Sequence, residues 1–251
     1  MTLNEYNSAH AGRTGDSGKN DPGVTNGSAF PTQVFNDPDP MPDRAAIEAA
    51  LRMIVEPGAV FEIRALRVKP KHGRPATYSG FYDADHIPNA AQDVANLGGA
   101  AGVYVTINPC KPDIMARRAN RMDRADNGET TSDHETLKRT TLLIDCDPDR
   151  PAGISATDAE HAMALGLAAR IKSDLSDAGW PEPVHVDSGN GGQLWYRVGL
   201  PVDDGGIIQH TLAELGRRYD SGQVHIDQTV HNPSRIGRLS GTVNRKGDNL
   251  P

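Results

Sequence analysis

Two aspartates, Asp145 and Asp147, follow directly on an apolar run and are separated by one residue. The run at 142–144 predicts a short buried β-strand that ends at Pro148, because proline cannot continue a hydrogen-bonded ladder. Side chains alternate along a strand, so both aspartates face the same way while Cys146 faces the core. At a rise of about 3.3 Å per residue, the two carboxylates start roughly 6.6 Å apart and could share a divalent metal ion.

Two like charges at the end of a buried strand are costly unless something neutralises them. A magnesium or manganese ion is the simplest such partner, since both prefer oxygen ligands and keep substrate phosphates in their shells. The alternative interpretation is that Asp145 and Asp147 are ordinary turn residues that cap backbone amides before Pro148. Both interpretations fit the two aspartates considered alone.

A glycine-rich turn and a third aspartate extend the candidate site. Residues 188–193 read Ser-Gly-Asn-Gly-Gly-Gln and lie between two short predicted strands. Their backbone amides could approach a phosphate closely, although Asn-Gly alone favours a plain hairpin. Asp227 ends an apolar segment and would complete a two-metal site for displacement at phosphorus. The cations that follow it, Arg235, Arg238 and Lys246, could steady phosphate groups.

Hydrophobic periodicity places these residues on a mixed set of helices and strands. Residues 1–41, rich in Asn, Gly, Ser, Asp and Pro, are expected to form a disordered leader. Apolar residues at helical spacing predict a helix after Asp43. Residues 60–68 predict a half-buried strand with Glu62 and Arg64 on its exposed face. Further elements predicted in this half are a helix over about 86–97 and a strand over 103–107.

The second half predicts helices and short strands in alternation. Thr157 and Glu160 have the spacing of a capping box at the start of a long helix. The apolar stripe predicted for this helix consists of Met163, Leu167, Ile171, Leu175 and Ala178. The other predicted elements are strands over 184–186, 194–198 and 224–226 and a helix over 208–219. Short glycine turns between some strands favour an α+β or ferredoxin-like sheet over a purely parallel one.

Composition narrows the class of protein. The 251 residues carry a net charge of -7, and the two cysteines, Cys110 and Cys146, lack the spacing of zinc ligands or of a disulfide scaffold. No run is long enough for a membrane span and no signal peptide opens the chain, so a cytoplasmic protein is expected. Basic residues form three clusters: Arg64, Arg67, Lys69, Lys71 and Arg74; Arg117, Arg118, Arg121 and Arg124; Arg235, Arg238, Arg245 and Lys246. Each cluster taken singly is best explained as a solvated face, and the arginines of the polar loop at 111–139 could equally reach a phosphate.

Taken in order, the motifs resemble those of the archaeo-eukaryotic primase superfamily, and more closely the primase-polymerase domains encoded by phages and plasmids. The matching segments are 104–109, 130–133, 143–148, 188–194, 226–227 and 238–242, with Lys246. The resemblance covers roughly residues 55 to 251. It implies an RRM-like (ferredoxin-like) catalytic sheet with an associated N-terminal α/β module, together forming a catalytic domain over 42–251. In relatives a helicase region often follows, so we expect either a fragment of a longer protein or a naturally short one.

The resemblance also implies roles for individual residues. Asp145, Asp147 and Asp227 would bind Mg²⁺ or Mn²⁺ for nucleotidyl transfer. The residues expected to contact the nucleotide are Ser188, Gly189, Asn190, Gly191, Gln193, Arg235, Arg238, Thr242 and Lys246. The family's second motif usually ends in a histidine that contacts the phosphates of the nucleotide. Here that position is Gln193, which can donate a hydrogen bond but carries no charge.

The sequence therefore predicts a template-dependent DNA primase/polymerase for phage or plasmid replication, located in the cytoplasm of a bacterium or of a phage-infected host. Its expected partners are a single-stranded DNA template, nucleoside triphosphates and a helicase in cis or in trans, with no membrane. Three alternatives stay open. Asp145 and Asp147 also fit a nucleotide-sugar transferase, Gln193 also fits a catalytically weakened replication or single-strand-binding module, and turn aspartates fit a plain α+β domain.

Overall fold

The computed structural model describes residues 40–69, 73–151 and 153–245, which belong to one unit of the chain. Residues 1–39 of the predicted leader, Lys71 and Lys246 lie outside the described residues. Within the described part, the chain forms four α-helices: α1 (Arg44–Ile54), α2 (Ile87–Asn96), α3 (Asp158–Asp177) and α4 (Ile207–Tyr219). None of these helices is long and apolar enough to cross a membrane.

The strands make two antiparallel sheets, which confirms the predicted α+β class. Five strands form the first sheet in the spatial order β4-β2-β1-β3-β9: β1 (Val60–Val68), β2 (Ala76–Asp83), β3 (Gly102–Thr106), β4 (Asp123–Arg124) and β9 (Ile236–Arg238). Four strands form the second sheet in the order β6-β7-β5-β8: β5 (Arg139–Pro148), β6 (Val184–Asp187), β7 (Gly192–Leu200) and β8 (Val224–Ile226). The short strands β4 and β9, and the longer β2, were not among the elements predicted from the sequence.

The prediction that Glu62 lies on an exposed face of β1 is wrong. Its side chain is fully buried, with Arg64 Nη2 2.6 Å from one carboxylate oxygen and Ser79 Oγ 2.7 Å from the other. The backbone nitrogen of Thr131, from the polar segment predicted as a loop, also donates to Glu62 at 2.9 Å. This segment covers the second face of the sheet, and a buried carboxylate is tolerated there because all its partners are charged or hydrogen-bonding groups.

In the first half of α3, the buried residues lie one position after those of the predicted apolar stripe. The capping box of Thr157 and Glu160 is present, but the residues that α3 buries are Ala164, Ala168, Ile171 and Leu175. Met163 and Leu167 are half-buried at its flanks, and Ala178 is exposed. Alanines face the sheet because α3 comes close to β7, where a Cβ on Gly192 would lie 3.0 Å from the Ala168 Cβ.

The two sheets meet where β9 of the first passes β7 of the second. The side chain of Trp195 on β7 is 3% exposed. A Cβ added to Gly237 on β9 would lie 2.1 Å from the Trp195 ring, so the strands approach as closely as a glycine allows. One continuous core joins both sheets and includes Ile47 of α1, Val105 of β3 and Leu143 of β5.

We expect Gly237→Ala to destabilise the protein by about 2 kcal/mol, because the added methyl group must displace the Trp195 ring. In a chain of this size that corresponds to a fall of roughly 5 °C in the melting temperature, measured by circular dichroism. The matched control is Gly199→Ala on β7, where no atom lies within 4 Å of the added Cβ. Equal melting temperatures for the two variants would contradict the close contact between the sheets.

Candidate functional site

Three aspartates converge at the end of the second sheet. Asp145 and Asp147 lie on the central strand β5, where Cys146 between them is fully buried. Asp227 follows the last residue of β8, and its backbone nitrogen donates to the backbone oxygen of Asp145 at 2.8 Å. One carboxylate oxygen from each of the three residues lies within 4.8 Å of the other two. The pairing of β8 with β5 thus brings together aspartates that are 80 residues apart in the sequence.

The chemistry of this cluster suits a hard divalent cation. All three candidate ligands are carboxylates, the oxygen donors that magnesium and manganese prefer. Thr229 orients Asp227 by donating its backbone nitrogen and its hydroxyl to Oδ1, at 2.8 and 2.7 Å. Burial, followed by the charges of Asp145 and Asp147, raises the pKa of the Cys146 thiol. The thiol therefore stays protonated at neutral pH.

Gln193 lies on β7 directly opposite Asp145 of β5, and all its polar atoms contact partners. Its side-chain nitrogen donates to Asp145 Oδ2 at 3.1 Å. Its side-chain oxygen accepts from Trp195 Nε1 and from the backbone nitrogen of Arg238, each at 3.2 Å. Gln193 is 5% exposed, so these contacts fix its carboxamide in one orientation. At this position the residue orients a carboxylate of the acidic cluster.

The glycine-rich segment forms a tight hairpin between β6 and β7. The backbone nitrogens of Gly189 and Gly191 donate to Asp187 Oδ1 at 2.7 Å and to Ser188 Oγ at 3.0 Å, and the nitrogen of Ser188 donates to the Gly191 oxygen. Asn190 is 7% exposed and accepts from the backbone of Ala156 at 2.8 Å. These amides are satisfied within the turn, which supports the plain hairpin interpretation over a cradle of free amides.

A single cleft, called here the acidic cleft, collects six of the twelve candidate residues. It is lined by Tyr104, Asp145, Asp147, Arg150, Ser188, Asn190, Gln193, Arg238 and Asn244. Other predicted contacts point elsewhere: Arg235 Nη2 donates to the Thr229 oxygen at 2.6 Å, and the Thr242 hydroxyl donates to the Leu239 oxygen at 2.6 Å. Neither residue lines the acidic cleft, nor do Gly189, Gly191 and Asp227, although Asp227 reaches the carboxylates of Asp145 and Asp147 at its edge, and Lys246 lies outside the described residues.

Arg238 provides a buried cation in the acidic cleft. The residue is 4% exposed, and its guanidinium lies 5.6 Å from the centre of the Tyr104 ring. Burial lowers the pKa of Arg238, and the neighbouring Tyr104 opposes that shift; a guanidinium so far above neutrality remains charged. Within the described residues its Nη1 has no hydrogen-bond acceptor. A buried guanidinium with unused donors can bind an anion, such as a phosphate, that enters the cleft.

Sequence reasoning missed three residues of the cleft. Arg150 lies three residues after Asp147 and donates to the backbone oxygen of Ile154. Its closeness to the aspartate pair in the sequence is the feature that could have identified it as a residue of the site. Asn244 donates to the backbone oxygen of Ser188 at 2.8 Å and so holds the segment around residue 244 against the hairpin. Tyr104 alternates with the buried Val103 and Val105 on β3, which places its ring on the opposite face.

Two arginines of the polar segment at 111–139 have structural partners. Arg117 pairs with Glu135. Arg118, 6% exposed, pairs with Glu129 at 2.8 Å. Both ion pairs join residues within the segment, so these two arginines hold its parts together.

In comparisons with known proteins, no family model matches the chain, and the curated proteins include no significant match.

We expect Gln193→Met, which keeps the length but removes both polar atoms, to weaken Mn²⁺ binding by about 10- to 100-fold. Asp145 would lose the hydrogen bond that orients its carboxylate toward the cluster. Titration calorimetry on metal-free protein, with the melting temperature recorded in parallel, checks the effect. Arg197→Met on the exposed part of β7 serves as the control. Native Mn²⁺ affinity in Gln193→Met, combined with weaker nucleoside triphosphate binding, would instead place Gln193 on the nucleotide.

Proposed function

We propose that this chain is a template-dependent DNA primase/polymerase that transfers nucleotides in the acidic cleft. The observation that carries the proposal is the convergence of three carboxylates, from β5 and the end of β8, with the buried guanidinium of Arg238. Nucleotidyl transfer needs both features. Metal-binding carboxylates and a cation must meet around one phosphate, so that the charge developing on the phosphoryl group is neutralised.

The topology of the second sheet supports the proposal. Its elements follow the chain in the order β5-α3-β6-β7-α4-β8, and all of its strand pairs are antiparallel. This is the order of a split β-α-β, or ferredoxin-like, sheet, the arrangement that we infer for an RRM-like catalytic core. The first sheet, with α1 and α2, then corresponds to the N-terminal α/β module. Its strand β9 carries Arg238 to the cleft.

Each residue has a defined task in this reaction. The oxygen of a primer 3′-hydroxyl, or of a first nucleotide, bonds to the α-phosphorus of the incoming triphosphate. The hydroxyl loses its proton to solvent water, and the bond between the α-phosphorus and the departing pyrophosphate breaks. Asp145, Asp147 and Asp227 would hold Mg²⁺ or Mn²⁺, which when bound supplies positive charge at the phosphates and lowers the pKa of the attacking hydroxyl. Gln193 keeps Asp145 oriented, and Arg238 pairs with a phosphate oxygen.

A second candidate function is a replication or single-strand-binding module without nucleotidyl transfer. The contacts of Gln193 favour it: the carboxamide oxygen is occupied by two N–H groups, and the position carries no charge. Such a module would bind DNA without any metal and would incorporate no nucleotide. The nucleotide-sugar transferase has no comparable support, since Asp227 and Arg238 are not needed for a simple Asp-x-Asp metal site.

We expect the native chain to incorporate labelled nucleotides on single-stranded DNA in the presence of Mg²⁺ or Mn²⁺. Asp145→Ala should lower the rate by more than about 100-fold, since changes in the shell around metal ligands alone cost 10- to 100-fold. The control is Asp113→Ala, which removes an exposed carboxylate of the polar segment at 111–139. This variant should keep the native rate. Reactions with and without a primer separate extension from priming.

Native incorporation that persists in folded Asp145→Ala would exclude the acidic cleft as the centre of the reaction. Metal-independent binding of DNA, with no incorporation by the native chain, would favour the second candidate function.

A further inference from the structure

We propose that a second groove beside the acidic cleft binds single-stranded nucleic acid along its phosphate backbone. This strand groove is lined by Arg67, Lys69 and Arg245 and has a floor that includes Leu66, Gly102 and Tyr104. Tyr104 also lines the acidic cleft, so the two sites are neighbours that share this residue. The proposal deepens the proposed function and rests on it in one respect: a strand bound here would be the one on which the acidic cleft acts.

The charge of the strand groove is opposite to that of the chain as a whole. The chain has a net charge of -7, yet the described residues that line this groove include three cations and no carboxylate. Arg67 and Lys69 are exposed, and neither forms an ion pair with another residue that the structure describes. A cationic groove without acidic groups attracts a polyanion and releases its counterions.

The backbone at Arg67 is an independent sign that the groove has a role. Arg67 has a φ of 52°, a conformation that costs free energy for any residue with a Cβ other than Asn and Asp. It lies in an irregularity of the pairing between β1 and β2, between Ala65 and Val68. Such bulges redirect a side chain, and here the redirected side chain lines the groove. The residue is exposed, so core packing does not hold its side chain in this conformation.

The floor of the strand groove suits unpaired bases. Leu66 and the Tyr104 ring offer apolar and aromatic surface, on which bases stack without regard to sequence. Gly102 is buried beside them, and a Cβ there would lie 2.5 Å from Arg238 Nη1 and 3.0 Å from the Tyr104 hydroxyl. The bare backbone of Gly102 therefore lets Tyr104 and Arg238 pack where the two sites meet. A duplex hides its bases from such a floor, so the occupant we infer is a single strand.

The test is the binding of a short fluorescein-labelled oligodeoxythymidine, followed by fluorescence anisotropy in EDTA so that the acidic cleft holds no metal. Arg67→Asn should weaken binding roughly threefold or more and reduce the slope of log K against log salt by about 0.7. Its melting temperature should equal or exceed the native value, because asparagine tolerates a positive φ. The control variant is Arg217→Asn, which makes the same change of charge on the exposed face of α4. It should leave the affinity and the salt slope unchanged.

A second variant, Lys69→Gln, should weaken binding to a similar degree without the change in backbone strain. Native affinity and salt slope in both Arg67→Asn and Lys69→Gln would overturn the proposal, as would tighter binding of a duplex of the same length. So would variants that lose affinity for a free nucleoside triphosphate but keep it for the oligonucleotide.

Failure of this inference and failure of the proposed function can be told apart by running the incorporation assay on the same preparations. Incorporation by the native chain, with native oligonucleotide binding in both variants, refutes the strand groove alone. Weaker binding in both variants, with no incorporation by the native chain, supports the groove and refutes nucleotidyl transfer.

Discussion

The buried carboxamide of Gln193 connects three strands that belong to different parts of the chain. It accepts hydrogen bonds from Trp195 on its own strand and from the backbone of Arg238 on the first sheet, and it donates to Asp145 on β5. A neutral hydrogen bond contributes only about 1 kcal/mol to stability, whereas a buried polar group left unsatisfied costs about 1–3 kcal/mol. The orientation of the acidic cluster and the contact between the sheets therefore depend on the same side chain.

The charges of the chain fall into two groups with different surroundings. Glu62 with Arg64 on β1, and Arg118 with Glu129 within the polar segment, are matched pairs, and Thr131 of that segment donates to Glu62. Charges of like sign are gathered elsewhere. Asp145, Asp147 and Asp227 lie together at the acidic cleft, which Arg150 and Arg238 also line, and the described residues of the strand groove include three cations and no carboxylate. Paired charges suit a structural role, and gathered charges suit a ligand of opposite sign.

Local patterns in the sequence predicted much of the second sheet. The strand of Asp145, the capping box at Thr157 and the hairpin at 188–193 depend on contacts between near neighbours, which spacing and turn chemistry report directly. Contacts between distant residues could not be read in this way. The burial of Glu62 depends on Thr131, 69 residues away, and the role of Gln193 depends on Asp145, 48 residues away. Small residues also misled the prediction, since alanines on α3 signal a buried face more weakly than the neighbouring leucine and methionine do.

The contact between Gly237 and Trp195 has a consequence for how the sequence can change over time. Because there is no space for even one methyl group between them, a larger residue at 237 becomes acceptable only together with a smaller one at 195. A smaller residue at 195 would in turn remove the indole N–H that donates a hydrogen bond to the Gln193 side chain. We therefore expect substitutions at positions 193, 195 and 237, which lie on both sheets, to occur together among descendants of this chain.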